Sequence, residues 1–335
     1  MKDNGLCFFG SANSGRGFKN YYSYIFKGLK KHYIIKGGSG TGKSSLMKTV
    51  AAEAENKGMN VERYYCSSDP TSLDGIIITD INLGISDGTS PHTSDPTYPG
   101  TQDEVIDLSS FWETNILEES REKIIEITNR KKDLYSDAYC CLGAALALEN
   151  INQRNILPAL NQEKISHTVK SITDRIRYTP GKLSIRLTEA ITTKGYFSFN
   201  PYINIAEKIY NIKDKYGIYG YFFNKLAKML DGCEMTVSYD PLDTEKINMI
   251  YLPQDKVLFC ANKDTGTEIN TETFLTEQLT LQNTDNIKTV LMSEAYSILK
   301  KAGEMHQKLE EIYISAKDFS KKEVYQSRLI KKILT

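Results

Sequence analysis

Residues 32–47 read HYIIKGGSGTGKSSLM, and the fold class follows from how this stretch is read. Gly37 to Ser44 spells G-G-S-G-T-G-K-S, a full match to the phosphate-loop pattern G-x-x-x-x-G-K-[ST]. At average composition, a chain of this length meets that pattern by chance on the order of one or two times in a hundred. The flanks agree with it. HYIIK is short, apolar and β-branched, as a buried strand is. SSLMKTVAAEAENKG places Leu46, Val50 and Ala54 at helical spacing and stops at Gly58. Strand, glycine loop and helix is the order that phosphate binding requires.

Each residue type has a reason to be there. Gly37, Gly40 and Gly42 let the backbone curl so that successive N–H groups face phosphate oxygens. A helix beginning near Lys43 adds its positive end. Lys43 is expected to bridge the β- and γ-phosphates, and the Ser44 hydroxyl to ligate Mg2+.

A second metal contact is expected from an aspartate at a strand's carboxyl end. GIIITDINLGISDG (75–88) offers two, Asp80 and Asp87. Asp87 is preferred, because it follows the alternating run Ile81, Leu83, Ile85 and precedes a glycine. VERYYCSSDP (61–70) reads as a strand ending at Asp69, which either serves the site or opens the turn before Pro70. The segment 87–100, rich in Pro, Gly, Ser and Thr, carries His92 and Asp95 and reads as a lid, a substrate loop or a plain connection.

The 335 residues suggest two domains. Lysine plus arginine balance aspartate plus glutamate at 42 each, which gives no long-range pull toward nucleic acid or an anionic membrane. Six cysteines form no CxxC pair and no ligand spacing with the four histidines, so neither a zinc site nor a disulfide framework is expected. The N-terminus lacks an apolar signal core, and the longest apolar segment, CCLGAALAL at 140–148, is too short to span a bilayer; a cytoplasmic location is the expectation.

The second half echoes the first. Placing Ile35 over Ile212, a shift of 177, brings Lys36 onto Lys213, Gly40 onto Gly217 and Lys48 onto Lys225. A shift of 178 matches Ala12, Gly17 and Phe18 with Ala190, Gly195 and Tyr196. A shift of 174 matches Tyr65 and Asp69 with Tyr239 and Asp243. Such small drift reads as one domain present twice. The chemistry is not repeated: Gly37, Gly42, Lys43 and Ser44 become Asp214, Tyr219, Gly220 and Tyr221, and Asp87 becomes Ala261. Asp214 would repel a phosphate and the tyrosines would fill its space, so the second loop is expected to keep the fold without the nucleotide. Each half then ends in a long helical region, about 112–178 and 286–334, which either packs the halves together or meets a partner.

These motifs, together with GFKNYY, CSSDPTSLDGIII, DGTSPHTSDPTYPG and DLSSFW, resemble a family of tandem P-loop ATPase-like proteins from Gram-positive, largely spore-forming bacteria. The resemblance covers most of the chain and implies ATP binding and two nucleotide-fold domains, with no known substrate. It implies phosphate binding by Gly37, Gly38, Ser39, Gly40, Thr41, Gly42, Lys43, Ser44 and Ser45, and it puts Asp69, Asp87 and His92 in motif positions of unassigned role.

The expectation is therefore an α/β protein with a P-loop-type parallel sheet duplicated in tandem, active over 1–178 and degenerate over 179–335. It would bind ATP and Mg2+ and hydrolyse ATP slowly, with Lys43, Asp69 and Asp87 as catalytic candidates and Ser44 and Asp87 on the metal. Arg186 and Lys194, or Arg16, are candidates to act across the domain interface. A small-molecule kinase and a nucleotide-gated interaction module are the alternatives; nucleic-acid handling ranks below them. ATP is preferred over GTP because no guanine-reading motif follows a strand after residue 100, apart from NKD at 262–264 in the eroded half.

Overall fold

The computed structural model describes residues 6–91, 93–277, 284–317 and 319–334. Its first half runs β1 (Leu6–Phe9), β2 (Ser11–Ser14), β3 (Gly17–Asn20), α1 (Tyr22–Ile25), β4 (Lys31–Lys36), α2 (Lys43–Asn56), β5 (Val61–Tyr65), β6 (Leu73–Ile78), β7 (Leu83–Asp87) and β8 (Asp103–Asp107). Three helices follow: α3 (Thr114–Glu119), α4 (Arg121–Ile156) and α5 (Gln162–Thr173). The second half runs β9 (Leu183–Ile185), β10 (Glu189–Thr192), β11 (Gly195–Ser198), β12 (Lys208–Lys213), α6 (Tyr219–Met229), β13 (Met235–Tyr239), β14 (Ile247–Leu252), β15 (Val257–Ala261) and β16 (Thr267–Asn270). It closes with α7 (Thr284–Ser315) and α8 (Phe319–Leu334).

Two six-stranded sheets result, ordered β1-β5-β6-β7-β4-β8 and β9-β13-β14-β15-β12-β16. Every strand of one has a counterpart in the other, and the pairing senses agree pair by pair. Even the register irregularity recurs, at Tyr64/Tyr65 and at Ser238/Tyr239. β4 and β12, β5 and β13, and the hairpins β2–β3 and β10–β11 begin and end at the offsets read from the sequence.

The sheets are mixed, where a parallel sheet was expected. β5, β6 and β7 run antiparallel to one another in sequence. The reason is connection length. A parallel pair needs a crossover of a dozen or more residues, whereas β6 and β7 are joined by one tight turn ending at Asn82 in the left-handed region (φ 52°). The strands β1, β4 and β8 keep the parallel sense, and the glycine loop leaves the carboxyl end of β4 as expected.

Apolar burial fixes α2 against its sheet. Leu46, Met47, Val50, Ala51 and Ala54 all lie on one face and pack with Ile76, Ile78 and Ile85. Gly58, with φ 80°, ends the helix where the sequence predicts. The two sheets meet edge to edge: Phe9 N–H donates to Leu187 O at 2.8 Å, and Asn13 Nδ2 donates to Ile191 O at 2.9 Å. Phe8, Phe9, Phe223 and Phe259 belong to one continuous apolar cluster spanning both halves.

The helical regions pack the halves together. α4 and α7 lie antiparallel along each other, with Lys288 paired to Glu149, Thr284 bonded to Asn152, and Ala295 and Leu299 beside Ala138 and Leu142. The shorter helices are exchanged. α5, from the first half, buries Ile165, Val169 and Ile172 against α6. α8, from the second, buries Leu329 and Ile333 against α2. Lys57 Nζ donates to Leu334 O at 2.9 Å, and Lys332 pairs with Glu104. The packing thus crosses the boundary near residue 178 in both directions. Among the described residues no helix is long and apolar enough to cross a membrane.

Candidate functional site

The glycine loop joins β4 to α2, and two of its turns require glycine: Gly40 at φ 68° and Gly42 at φ 87°. Lys43 opens α2 and folds back, its Nζ donating to Gly37 O at 2.6 Å and Gly38 O at 2.8 Å. Asp87 lies 3.5 Å from the same ammonium, because β7 pairs with β4 in parallel and sets Asp87 level with Ile35. Its other oxygen accepts from Thr89 N–H, and Thr89 Oγ1 donates to Gly37 O, tying β7 to the loop. Ser44 Oγ accepts from Leu73 N–H at 2.9 Å. One Oγ lone pair remains for another contact. Ser45 is exposed on the outer face of the helix.

The structure separates the remaining candidates. Asp80 sits at the far end of the sheet and accepts from Asn60 N–H, so the alternative to Asp87 is excluded by position. Asp69 takes the turn role expected of it and makes an ion pair as well. It closes the turn through Thr71 and Ser72, and it pairs with Lys194 of the second half at 2.9 Å. Burial works against its charge, but Lys194, Ser72 and Thr71 outweigh it and bring the pKa down to about 2. Arg16 makes the reciprocal pair with Asp243 at 2.8 Å. Arg186 binds Glu62 and lies over Tyr64, at the interface and away from the loop. His92 lies outside the described residues. Asp95 pairs at 3.3 Å with Lys36, the residue that precedes the loop.

Sequence reasoning missed the groups that the two helical regions and their flanks bring. A side chain added at Gly38 would meet Trp112, and one at Gly40 would meet Glu310 O and Ile314. Lys317 Nζ donates to Thr41 O at 2.6 Å. Glu310 thus lies against the loop at Gly40, with its backbone oxygen 3.1 Å from where a side chain at Gly40 would begin. Burial and the nearby Asp69 push the Glu310 pKa up, against the pull of Gly40 N–H, Lys43 and Lys131. Charges on amphipathic helices carry no label that would have singled these out.

His306, also on α7, stands in the field of Lys131, Asp69 and Lys43. Burial, then Lys131, lowers its pKa to about 4, with Asp69 opposing. A histidine depressed on folding is protonated first in the unfolded chain, so its stability contribution is intact above about pH 6.5 and falls away toward pH 4. His306→Gln is expected to retain about 2–3 kcal/mol of the stability that the unmodified chain loses between pH 7 and 4.5. Urea unfolding at the two pH values measures this; equal losses in both proteins would refute it.

The second loop answers the first. Gly217 repeats the left-handed turn of Gly40, at φ 74°. Asp214 does more than repel a phosphate. Its carboxylate accepts from Tyr216 N–H at 3.0 Å, Tyr219 N–H at 2.6 Å and Thr271 Oγ1 at 2.8 Å. The loop's own side chain therefore takes the bonds that an anion would take. No protein-family model, no curated protein and no solved structure matches the chain.

Proposed function

We propose that the chain is a Mg2+-dependent ATP-binding protein and slow ATPase, with its nucleotide site in the first half. One observation carries this reading. The chain turns left-handed at Gly40 and Gly42 straight after β4, and Lys43 folds back over Gly37 O and Gly38 O with Asp87 3.5 Å from its ammonium. Such a loop favours anionic oxygens. The resemblance to tandem P-loop ATPase-like proteins points the same way, as does the matched strand order of the two halves, which a tandem duplication would produce.

In this reading Lys43 and the loop N–H groups hold the β- and γ-phosphates. Ser44 Oγ and Asp87 fit Mg2+, which takes one or two protein oxygens and the rest from phosphates and water. The ion would supply charge neutralisation on the phosphates. Lys194, from the second half, reaches Asp69 at the edge of this site and could stabilise charge there. Asp69 or His92 would orient the water.

A second reading, the nucleotide-gated interaction module, is favoured by the contact with the loop made by Glu310 and Ile314 of α7 and by Lys317 just beyond it. Phosphate entering the loop would have to disturb that end of α7. Calorimetric titration with a non-hydrolysable ATP analogue and Mg2+ tests both. One site per chain is expected; two sites, or none, would refute the assignment of a single nucleotide site. Turnover well below one per minute in a chain that binds would shift the balance to the module.

A further inference from the structure

The glycine loop is covered in this structure. The Lys43 and Asp87 side chains are each only 12% exposed, although Lys43 can serve phosphates only where they reach its ammonium. Two segments from distant parts of the chain form the cover. One is the short 3-10 turn Ser109–Phe111 after β8, which delivers Trp112. The other is the end of α7, with Glu310, Tyr313 and Ile314, followed just beyond it by Lys317.

The cover sits tightly on the loop. A Cβ at Gly38 would stand 3.0 Å from the Trp112 ring and 3.5 Å from that of Tyr313. A Cβ at Gly40 would stand 2.9 Å from Ile314 Cγ1 and 3.1 Å from Glu310 O. Phosphate oxygens have to come within about 3 Å of the loop backbone to bond it, so they and this cover compete for room. The two segments also hold each other. Glu113 N–H donates to Ala316 O at 2.8 Å beside a single antiparallel bridge between Trp112 and Lys317. The Trp112 and Tyr313 rings pack with centroids 5.1 Å apart. Lys317 Nζ then fastens the cover to the loop, donating to Thr41 O at 2.6 Å and to Gly40 O at 3.3 Å.

We propose that these contacts form an autoinhibitory clasp, closed here, and that nucleotide enters the glycine loop only when the end of α7 lifts from Gly40 and Thr41. The inference rests on the reading of this loop as the nucleotide site. Two features mark the cover as a clasp rather than permanent packing. It is thin: the bridge is one residue pair long, and Ile314 is 43% exposed. It is also flawed, because Trp112 Nε1 is buried with no hydrogen-bond partner among the described residues. Opening returns that donor to water and removes the penalty. A ligand that binds only the open state is weakened by the fraction of chains that are closed.

Calorimetric titration of the full chain with the non-hydrolysable ATP analogue and Mg2+ tests this, with Lys317→Met compared to the unmodified protein. The methionine keeps the stem and removes the ammonium. The variant is expected to bind about tenfold tighter, because losing a charge-assisted bond leaves more of the chain open. Ile314→Ala, at an exposed position, should also tighten binding and serves should Lys317→Met fail to fold. Trp112 is the one tryptophan of the sequence, and its emission should shift to the red as the analogue binds and the ring is wetted. Unchanged or weaker binding in both variants overturns the clasp and leaves the nucleotide site standing, as does Trp112 emission unmoved at saturation. No binding in any of the three proteins overturns the nucleotide reading and the clasp with it. Adding Lys43→Ala to Lys317→Met should abolish the gain; a gain that survives would place the analogue elsewhere and overturn the proposal.

Discussion

Lys43→Ala is expected to weaken binding of the ATP analogue by about a hundredfold or more, because it removes a charge-assisted contact of roughly 3 kcal/mol to the phosphates. The same ammonium also binds Gly37 O and Gly38 O and faces Asp87. If the loop holds the nucleotide as proposed, loss of the ammonium would also leave Asp87 beside the phosphates without a counter-charge, adding repulsion to the lost attraction. The expected loss is one of binding, not of fold, because the apolar face of α2 is untouched. Calorimetry gives the affinity, and near-UV circular dichroism confirms the packing. A variant that binds as tightly as the unmodified chain would place the phosphates elsewhere.

The second large effect concerns stability. Leu329 and Ile333, 5% and 4% exposed, are the anchors of α8 on the α2 core. Replacing both with alanine is expected to cost about 4–6 kcal/mol, since each buried leucine or isoleucine truncation costs 2–5 kcal/mol and the two share one face. That is a large part of the 5–15 kcal/mol by which a protein of this kind is stable. Urea unfolding with hydrogen exchange resolves where the loss appears. Faster exchange in both α8 and α2 is the expected pattern; a loss confined to α8 would mean that the helix merely rests on the surface.

Much of this fold was legible in the sequence because backbone pattern survives where chemistry does not. HYIIK, the loop and SSLMKTV declare a strand, a turn and an amphipathic helix by composition and period. The offsets between halves carried through to strand ends because apolar alternation is what both sheets require. Strand direction was less legible. The short run Ile76 to Ile78 and the alternating run Ile81, Leu83, Ile85 read as two strand ends, but only the short turn between them makes the pair antiparallel. The partners of the helical regions were not legible at all. Amphipathic spacing marks Ile165 and Val169 as buried without saying that α6 covers them.

The candidate site divides along the same line. Lys43, Ser44 and Asp87 stand together as their motif positions imply, and Lys194 reaches Asp69 across the halves. Glu310 and His306 come from α7 and Lys317 from just beyond its end, more than two hundred residues away, and no local pattern connects them to a glycine loop. In the second loop the substitutions were read as losses. They also removed a need, because Asp214 meets the loop's donors from within the chain.

The exchange of α5 and α8 bears on how the chain is made. A ribosome delivers α2 early and α8 late, with the whole second sheet in between. Until α8 emerges, the face that Leu329 and Ile333 will cover stays wet, so the first half remains an unfinished nascent intermediate throughout most of synthesis. The second half meets no such delay, since α5 is already waiting when α6 appears. Vectorial synthesis should thus complete the second half before the first, with the glycine loop's surroundings among the last parts to set.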